Sequence, residues 1–200
     1  MMAPALIVLA YFIGALPTGL ILVRVLRSVD IRRLGSGNIG AVNVLRVAGP
    51  AVAAAVLVVD VLKGLVPVLL VLHAGLAPWA AVAAGLAAIA GHNWSVFLGF
   101  RGGKGIATSF GVLAGLSLPA ALVAAAVWVV VVAITRFASL GSMLAGVSVP
   151  IMLWRLHTPS EYVAFGIIAS LFAIYRHRAN IQRLVAGTEL RITDRVADKP

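Results

Sequence analysis

The sequence predicts an all-α integral membrane protein of seven transmembrane helices, the fourth of them short, with the N-terminus outside and the C-terminus in the cytoplasm. Three observations carry that prediction. Apolar residues make up 62% of the 200-residue chain and charged residues 11%, against about 45–50% and about 25% in soluble domains. A water-soluble fold of this size has nowhere to hide so much apolar surface. Charge-poor apolar runs recur along the chain at lengths that suit a bilayer core, which takes about 20 helical residues to cross. The basic residues, 16 Lys and Arg against 6 Asp and Glu, fall in alternate connections between those runs.

The first run is Pro4–Val23. Met1-Met2-Ala3-Pro4 has no basic character and no A-x-A-like site follows Val25, so the run reads as a retained helix and not a cleaved signal. The second is Pro50–Val59 continuing to Leu72, and the third Pro78–Phe100. The fourth, Ile106–Leu116, is short for a full span, a length that also suits a half-helix or a re-entrant piece buried in protein, with a break at Pro119 separating it from the fifth, Leu118–Thr135. Leu140–Trp154 and Tyr162–Tyr175 complete the set.

The first connection holds Arg24, Arg27, Arg32, Arg33 and Arg46. The third run ends at Arg101 and Lys104, the fifth at Arg136, and the tail carries Arg176, Arg178, Arg183, Arg191 and Arg195. The remaining connections hold Arg155 alone. Seven crossings put every basic connection on one side, and the positive-inside rule makes that side the cytoplasm. Counting Ile106–Thr135 as one helix would put the basic tail opposite the first basic loop. Residues 1–200 read as a single transmembrane domain. The same topology absorbs a net charge of +10, which in a soluble protein would suggest nucleic acid, and no nucleic-acid partner is expected. With no Cys, disulfides and thiol chemistry are excluded. No His/Asp/Glu group has metal-ligand spacing, so neither metal nor other cofactor is expected.

Asp60 and Lys63 interrupt the second run at i,i+3. An ion pair would neutralise them, but charges at membrane depth usually face a functional interior. Lys63 is expected near the site, with Asp60 holding it.

Three motifs carry chemistry. Leu34-Gly35-Ser36-Gly37-Asn38-Ile39-Gly40-Ala41-Val42-Asn43 satisfies G-x-G-x-x-G, and Asp60 stands 20 residues beyond Gly40. No strand precedes the glycines and Asp60 sits in an apolar helix, so dinucleotide binding is excluded by context. No H-R-D or D-F-G follows, which excludes a kinase. What survives is physical: Gly37 and its neighbours let the backbone aim N–H groups at an anion, Ser36, Asn38 and Asn43 add neutral donors, and Arg46 adds a bidentate phosphate contact.

The second motif is Gly91-His92-Asn93-Trp94 with Phe100-Arg101-Gly102-Gly103-Lys104-Gly105-Ile106-Ala107-Thr108. It fails as a P-loop, because Leu98 stands where the first Gly is needed and Gly105 where Ser or Thr is needed. A Gly102-Gly103-Lys104-Gly105 turn that opens a helix is still an anion site. The third motif is Tyr175-Arg176-His177-Arg178-Ala179-Asn180-Ile181-Gln182-Arg183-Leu184 with Gly187-Thr188-Glu189. Positive-inside charge accounts for Arg178 and Arg183, but it does not call for His177, Asn180 or Glu189. Ser142, at the start of the sixth run, is either a plain N-cap or a further phosphate donor at a helix N-terminus.

Together these segments, with Asp60-Val61-Leu62-Lys63-Gly64, resemble the bacterial acyl-phosphate:glycerol-3-phosphate acyltransferase family, the PlsY type. Order, spacing and total length all agree, so the resemblance covers essentially the whole chain. It implies seven transmembrane helices in a bacterial cell (inner) membrane and an active site facing the cytoplasm. It implies transfer of a fatty acyl group from acyl phosphate to the sn-1 hydroxyl of glycerol 3-phosphate, giving lysophosphatidic acid and phosphate as the first step of phospholipid synthesis. The family's catalytic roles fall on Ser36, Arg46, Lys104, His177 and Asn180. Substrate contacts are expected from Gly37, Asn38, Asn43, Lys63, His92, Gly102, Gly103 and Ser142, and structural support from Asp60 and Glu189. One departure is Val42, where the family commonly has Thr. The partners implied are the two substrates and membrane lipid, and a working monomer is compatible with the sequence.

The residues suit this chemistry independently. Both substrates carry phosphate, and the glycine-rich turns, Arg46, Lys104 and the His177–Asn180 pair can hold two such groups. The leaving group is already phosphate, so no strong acid is needed to expel it. No H-x₄-D pair is present: Phe97, Tyr162 and Gln182 stand at that interval after His92, His157 and His177. There is no G-x-S-x-G elbow. A covalent acyl-Ser36 stays open but unsupported, since no carboxylate–His partner is spaced to activate it, and the expectation is direct attack by the glycerol hydroxyl, the proton passing to His177 or to the substrate's phosphate. A transporter of phosphorylated metabolites is the main rival class. Such proteins usually show internal repeats and polar groups near the midplane. Here there is no repeat, and the motifs gather at one face.

Overall fold

The computed structural model describes residues 1–195, so the far end of the expected 1–200 domain lies outside the described residues. Ten α-helices are present among them: α1 (Met2–Ala15), α2 (Thr18–Arg27), α3 (Ala41–Ala48), α4 (Pro50–His73), α5 (Pro78–Asn93), α6 (Ile106–Leu116), α7 (Leu118–Thr135), α8 (Ala138–Arg155), α9 (Ser160–Arg176) and α10 (Arg178–Val185). Short 3₁₀ turns cover Ile31–Arg33 and Val96–Leu98. Each apolar run of the sequence is largely helical, with breaks in the first and third. Among the described residues, four stretches are long and apolar enough to cross a bilayer: Met2–Arg27, Pro50–His73, Pro78–Leu98 and Leu118–Thr135. α6 has 11 residues, about 16 Å of helix against a hydrocarbon core of about 30 Å.

Two runs differ from expectation. The first is not one helix. Pro17 has no N–H to continue the ladder and its ring clashes with the preceding turn, so the chain breaks between α1 and α2. The carbonyls freed there are not abandoned. Ser95 Oγ donates to the Ala15 carbonyl at 2.5 Å and Lys63 Nζ donates to the Leu16 carbonyl at 3.1 Å. The third run stops being α-helical at Asn93 and turns through the 3₁₀ segment before α6.

Packing relies on small residues, as it must where lipid offers apolar side chains no gain from burial. α1 lies along α5, α4 along α6, α7 along α8 and α8 along α9. α4 and α6 cross through a reciprocal pair of glycines. A Cβ on Gly64 would collide with the Thr108 carbonyl, and one on Gly111 with the Val61 carbonyl. α5 presents Ala80, Ala81, Ala84 and Ala88, all buried, to the core. Outward, α7 exposes Leu122, Val129, Val130 and Ile134, the pattern of a helix that faces lipid.

The basic connections meet at one end of the bundle. Arg27 reaches the Ala48 carbonyl, Arg176 the carbonyls of Gly102 and Gly103, and Arg46 the carbonyls of Leu190 and Arg191, while the Ile192 N–H donates to the Arg136 carbonyl. The functional motifs lie at that end.

Candidate active site

The first motif is folded around one side chain. Asn43, on the first turn of α3, is 2% exposed. Its Oδ1 accepts from the Ser36 N–H at 2.9 Å, and its Nδ2 donates to the carbonyls of Asn38 (2.9 Å) and Leu34 (3.1 Å). Asn38 Oδ1 accepts from the Gly40 N–H at 2.8 Å, and Gly37 takes φ +70°, a conformation that glycine adopts without strain. The sequence suggests Asn43 as a phosphate contact. Asn43 does line the cavity, but its amide is committed to the loop and holds the turn that presents Ser36. The Ser36 hydroxyl makes no hydrogen bond to another described residue and lines a cavity.

The second motif also departs from expectation. The N–H groups of Gly102 and Gly103 donate to the carbonyls of Asn93 (3.0 Å) and His92 (3.1 Å). A Cβ on either residue would strike the end of α5. These glycines therefore lay the loop against α5 and do not themselves cradle an anion. The N–H groups left free to meet an anion are those of Ile106 and Ala107, which open α6 on the cavity wall. The first N–H groups of a helix have no partner within it and carry partial positive charge. α3, with Ala41 and Val42, and α8, with Ala138 and Ser139, point their N-termini at the same cavity. Three helix dipoles thus converge where anionic substrate oxygens are expected.

Lys104 anchors a chain of charge-assisted hydrogen bonds. Its Nζ donates to Asn180 Oδ1 at 2.6 Å, and Asn180 Nδ2 donates to Glu189 Oε1 at 2.6 Å. Glu189 Oε1 also accepts from Ser139 Oγ at 2.7 Å, and Oε2 from Arg183 Nε at 2.8 Å. Burial pushes the Glu189 carboxyl up, but the donors Ser139, Asn180 and Arg183 outweigh it, and its pKa lies below the ordinary value. Burial, only partly offset by Glu189, lowers the Lys104 ammonium to about 8. His177, between α9 and α10, sits with Nδ1 2.8 Å from the Ala173 carbonyl. A carbonyl only accepts, so Nδ1 carries the hydrogen and Nε2 keeps its lone pair. Burial and then the Lys104 charge hold its pKa down to about 4, so the ring is neutral at pH 7.

Arg46, expected as a phosphate ligand, is 8% exposed and donates to Leu190 and Arg191 carbonyls at 2.9–3.1 Å. It ties the C-terminal segment across the cavity while also lining it. The expected roles of Asp60 and Lys63 are exchanged. Asp60 lines the cavity with His92, whose Nδ1 lies 4.0 Å from Asp60 Oδ1. Lys63, 2.7 Å from Asp60, turns to the α1–α2 break and holds Asp60 in place. Ser142 is not at a helix N-terminus: α8 starts at Ala138, and the Ser142 hydroxyl donates back to the Ala138 carbonyl (2.8 Å) and accepts from Trp128 Nε1 (3.2 Å).

These groups surround one end of a cavity of about 370 Å³. Ser36, Asn38, Arg46, Lys104, His177 and Asn180 share its polar end, whereas Leu113, Ala124, Val149 and Phe165 close the other. Sequence reading missed Arg183, taken there as topology although it pairs with Glu189 and lines the cavity, and the apolar wall of Trp128, Gly146 and Phe165. No local motif marks such residues in a chain where most helices are apolar and basic residues crowd the connections.

The glycerol-3-phosphate acyltransferase family profile matches residues 4–187. A glycerol-3-phosphate acyltransferase of Brucella anthropi is 48% identical over 186 residues, 93% of this chain and 91% of that relative. Two crystal structures of PlsY, an integral membrane glycerol 3-phosphate acyltransferase, are similar throughout. The glycerol 3-phosphate form has a TM-score of 0.91 at 37% identity, covering 96% of each chain. The lysophosphatidic acid form has a TM-score of 0.89 at 35% identity, covering 96% of this chain and 95% of that one.

Proposed function

This chain belongs to the glycerol-3-phosphate acyltransferase family, integral membrane acyltransferases of phospholipid synthesis, and on that premise we propose that its acyl donor is a fatty acyl phosphate and its product lysophosphatidic acid. The observation that carries the reading is the two-ended cavity. A phosphate-binding end of cations and helix N-termini opens directly into an apolar space of acyl-chain character. One molecule with a phosphate beside a long hydrocarbon fits both halves at once.

The glycerol 3-phosphate hydroxyl attacks the acyl carbonyl carbon. A C–O ester bond forms, the bond from the acyl carbon to the phosphate oxygen breaks, and the departing phosphate carries away the proton as hydrogen phosphate. Lys104, Arg46 and the N-termini of α3, α6 and α8 stabilise the charge that develops on the carbonyl and phosphate oxygens. His177 Nε2 accepts a hydrogen bond from the attacking hydroxyl and orients it. With a pKa of about 4 it is a weaker base than a phosphate monoester, whose second pKa is about 6, so the phosphate is the terminal proton acceptor. Ser36 donates to a substrate oxygen, with Asn38 and Gly37 shaping its turn. Asn180 and Glu189 hold Lys104. His92 and Ser142 line the wall on either side.

Residues 1–200 act as one domain with seven crossings, N-terminus outside, and the site faces the cytoplasm, where glycerol 3-phosphate is dissolved. Support comes from the gathering of the basic connections at the end that holds the site. The test uses detergent-purified protein with palmitoyl phosphate and glycerol 3-phosphate. Equimolar lysophosphatidic acid and phosphate are expected. No product with both substrates present, or product only from a thioester donor, overturns the reading.

A further inference from the structure

Gly146 stands apart from the other glycines of the bundle. Gly64, Gly111, Gly141 and Gly166 would each place a Cβ 3.0 Å or less from a neighbouring atom, so packing alone requires them. A Cβ on Gly146 would meet nothing nearer than Ser170 Cα at 3.8 Å, an ordinary van der Waals contact. Glycine in a helix interior costs about 1 kcal/mol against alanine, and no close packing at Gly146 offsets that cost. What the missing side chain leaves is space, and Gly146 lies on the wall of the cavity.

The level of that space is fixed by the antiparallel pairing of α8 and α9. Ser170 Oγ donates to the Gly146 carbonyl at 2.5 Å, and Gly166 packs on Pro150. Val149 and Phe165 lie just below, 8% and 1% exposed, with Leu113 at 3% from α6. Each of the three is buried where it lines the apolar end. From Ser139 at the polar end to Val149 is ten residues of α8, about 15 Å. An extended hydrocarbon advances about 1.25 Å per carbon from bonds of about 1.52 Å, so the depth holds about a dozen carbons.

From these observations we infer that Gly146 and Phe165 form the gauge of acyl-chain length, Gly146 by leaving the lower cavity open and Phe165 by closing its floor. The inference rests on the reading of the apolar end as the acyl site. A substitution at either position changes the depth available, and the two act in opposite directions. Phe165→Ala deepens the cavity by about three carbons, and Gly146→Leu closes its lowest turn, shortening it by about as much.

Binding separates the gauge from turnover. Purified wild type, Phe165→Ala and Gly146→Leu are titrated with lysophosphatidic acids from octanoyl to stearoyl, read as thermal stabilisation, with glycerol 3-phosphate alone as reference. In the wild type, stabilisation should climb with chain length and level off at about a dozen carbons. The plateau should move to longer chains in Phe165→Ala and to shorter chains in Gly146→Leu, with the glycerol 3-phosphate response unchanged. Gly146→Ala and Phe165→Leu, milder changes for which space exists, should give the same shifts in smaller form and serve if the larger substitutions do not fold. Superimposable length profiles in all variants, as expected if the chain leaves sideways into lipid, overturn the gauge. Failure of the wild type to use acyl phosphate would overturn the donor reading and leave this binding profile to stand or fall by itself.

Discussion

In the proposed mechanism, binding and pH dependence both turn on Lys104. It is a cation below its pKa of about 8 and neutral above it, and a dianionic phosphate needs the cation. kcat/KM for glycerol 3-phosphate, which reports free-enzyme groups, should therefore fall as pH rises through about 8. Lys104→Arg keeps the charge at all these values and should remove that limb even where it lowers the rate. A limb that persists in the arginine variant would assign it to another group. Lys104→Ala should cost about 100-fold or more in kcat/KM, the scale for removing one preorganised electrostatic contact. Ser36 and Asn43 separate in the same way. Ser36→Ala should lower activity while leaving thermal stability within about 0.5 kcal/mol. Asn43→Ala leaves three loop carbonyls and an N–H without their partner, and should cost about 1–3 kcal/mol as well as activity. Identical stability losses for the two would merge their roles. The residues of this site are legible as motifs, but their partners are not. Lys104 meets Asn180 across 76 positions and Arg46 meets Leu190 across 144. Sequence spacing says nothing about contacts of that separation.

At the scale of elements, the break between α1 and α2 explains why a membrane helix carries Asp60 and Lys63. Pro17 frees carbonyls at the bundle's interior. In hydrocarbon an unpaired carbonyl costs several kcal/mol, and Lys63 meets that need while neutralising Asp60 at 2.7 Å. Removing one member of a buried pair leaves an uncompensated charge and costs about 3–5 kcal/mol, whereas replacing both is often nearly neutral. Lys63→Met should accordingly lose most monodisperse protein in detergent. Asp60→Asn with Lys63→Met should recover stability without recovering full activity, because Asp60 lines the cavity. Recovery of neither in the double variant would make the carbonyl cap, and not the charge balance, the dominant role of Lys63. The helices themselves follow from composition, and the seven apolar runs are largely helical, two of them broken. Gly102 and Gly103 were misleading for a physical reason. A glycine needed for close packing against α5 and a glycine needed for anion approach look the same in one sequence, and only the neighbouring backbone distinguishes them.

For the whole molecule, the decisive property is the asymmetry of charge between the two ends of the bundle. Arg27, Arg101, Arg136 and Arg178 lie in the connections that meet at the site, while the turns after α4 and α8 are nearly free of charge. Lys and Arg resist translocation across the membrane, which supports the proposal that the end carrying them stays in the cytoplasm. This orientation also suits the chemistry, since water-soluble glycerol 3-phosphate must reach the polar end of a cavity whose other end is apolar. The absence of native Cys makes the topology directly testable. Single cysteines placed at Arg101 and Arg178 should resist a membrane-impermeant thiol reagent added to intact cells and react after permeabilisation. Cysteines at Gly75 and Thr158, in the turns after α4 and α8, should react from outside without permeabilisation. Labelling of Arg101→Cys from outside would reverse the bundle. Equal labelling of Gly75→Cys and Arg178→Cys would mean an even number of crossings between them, which would require α6 and α7 to act as one span. The short α6, about half a bilayer long, makes this the one point at which a seven-crossing topology is most exposed to refutation.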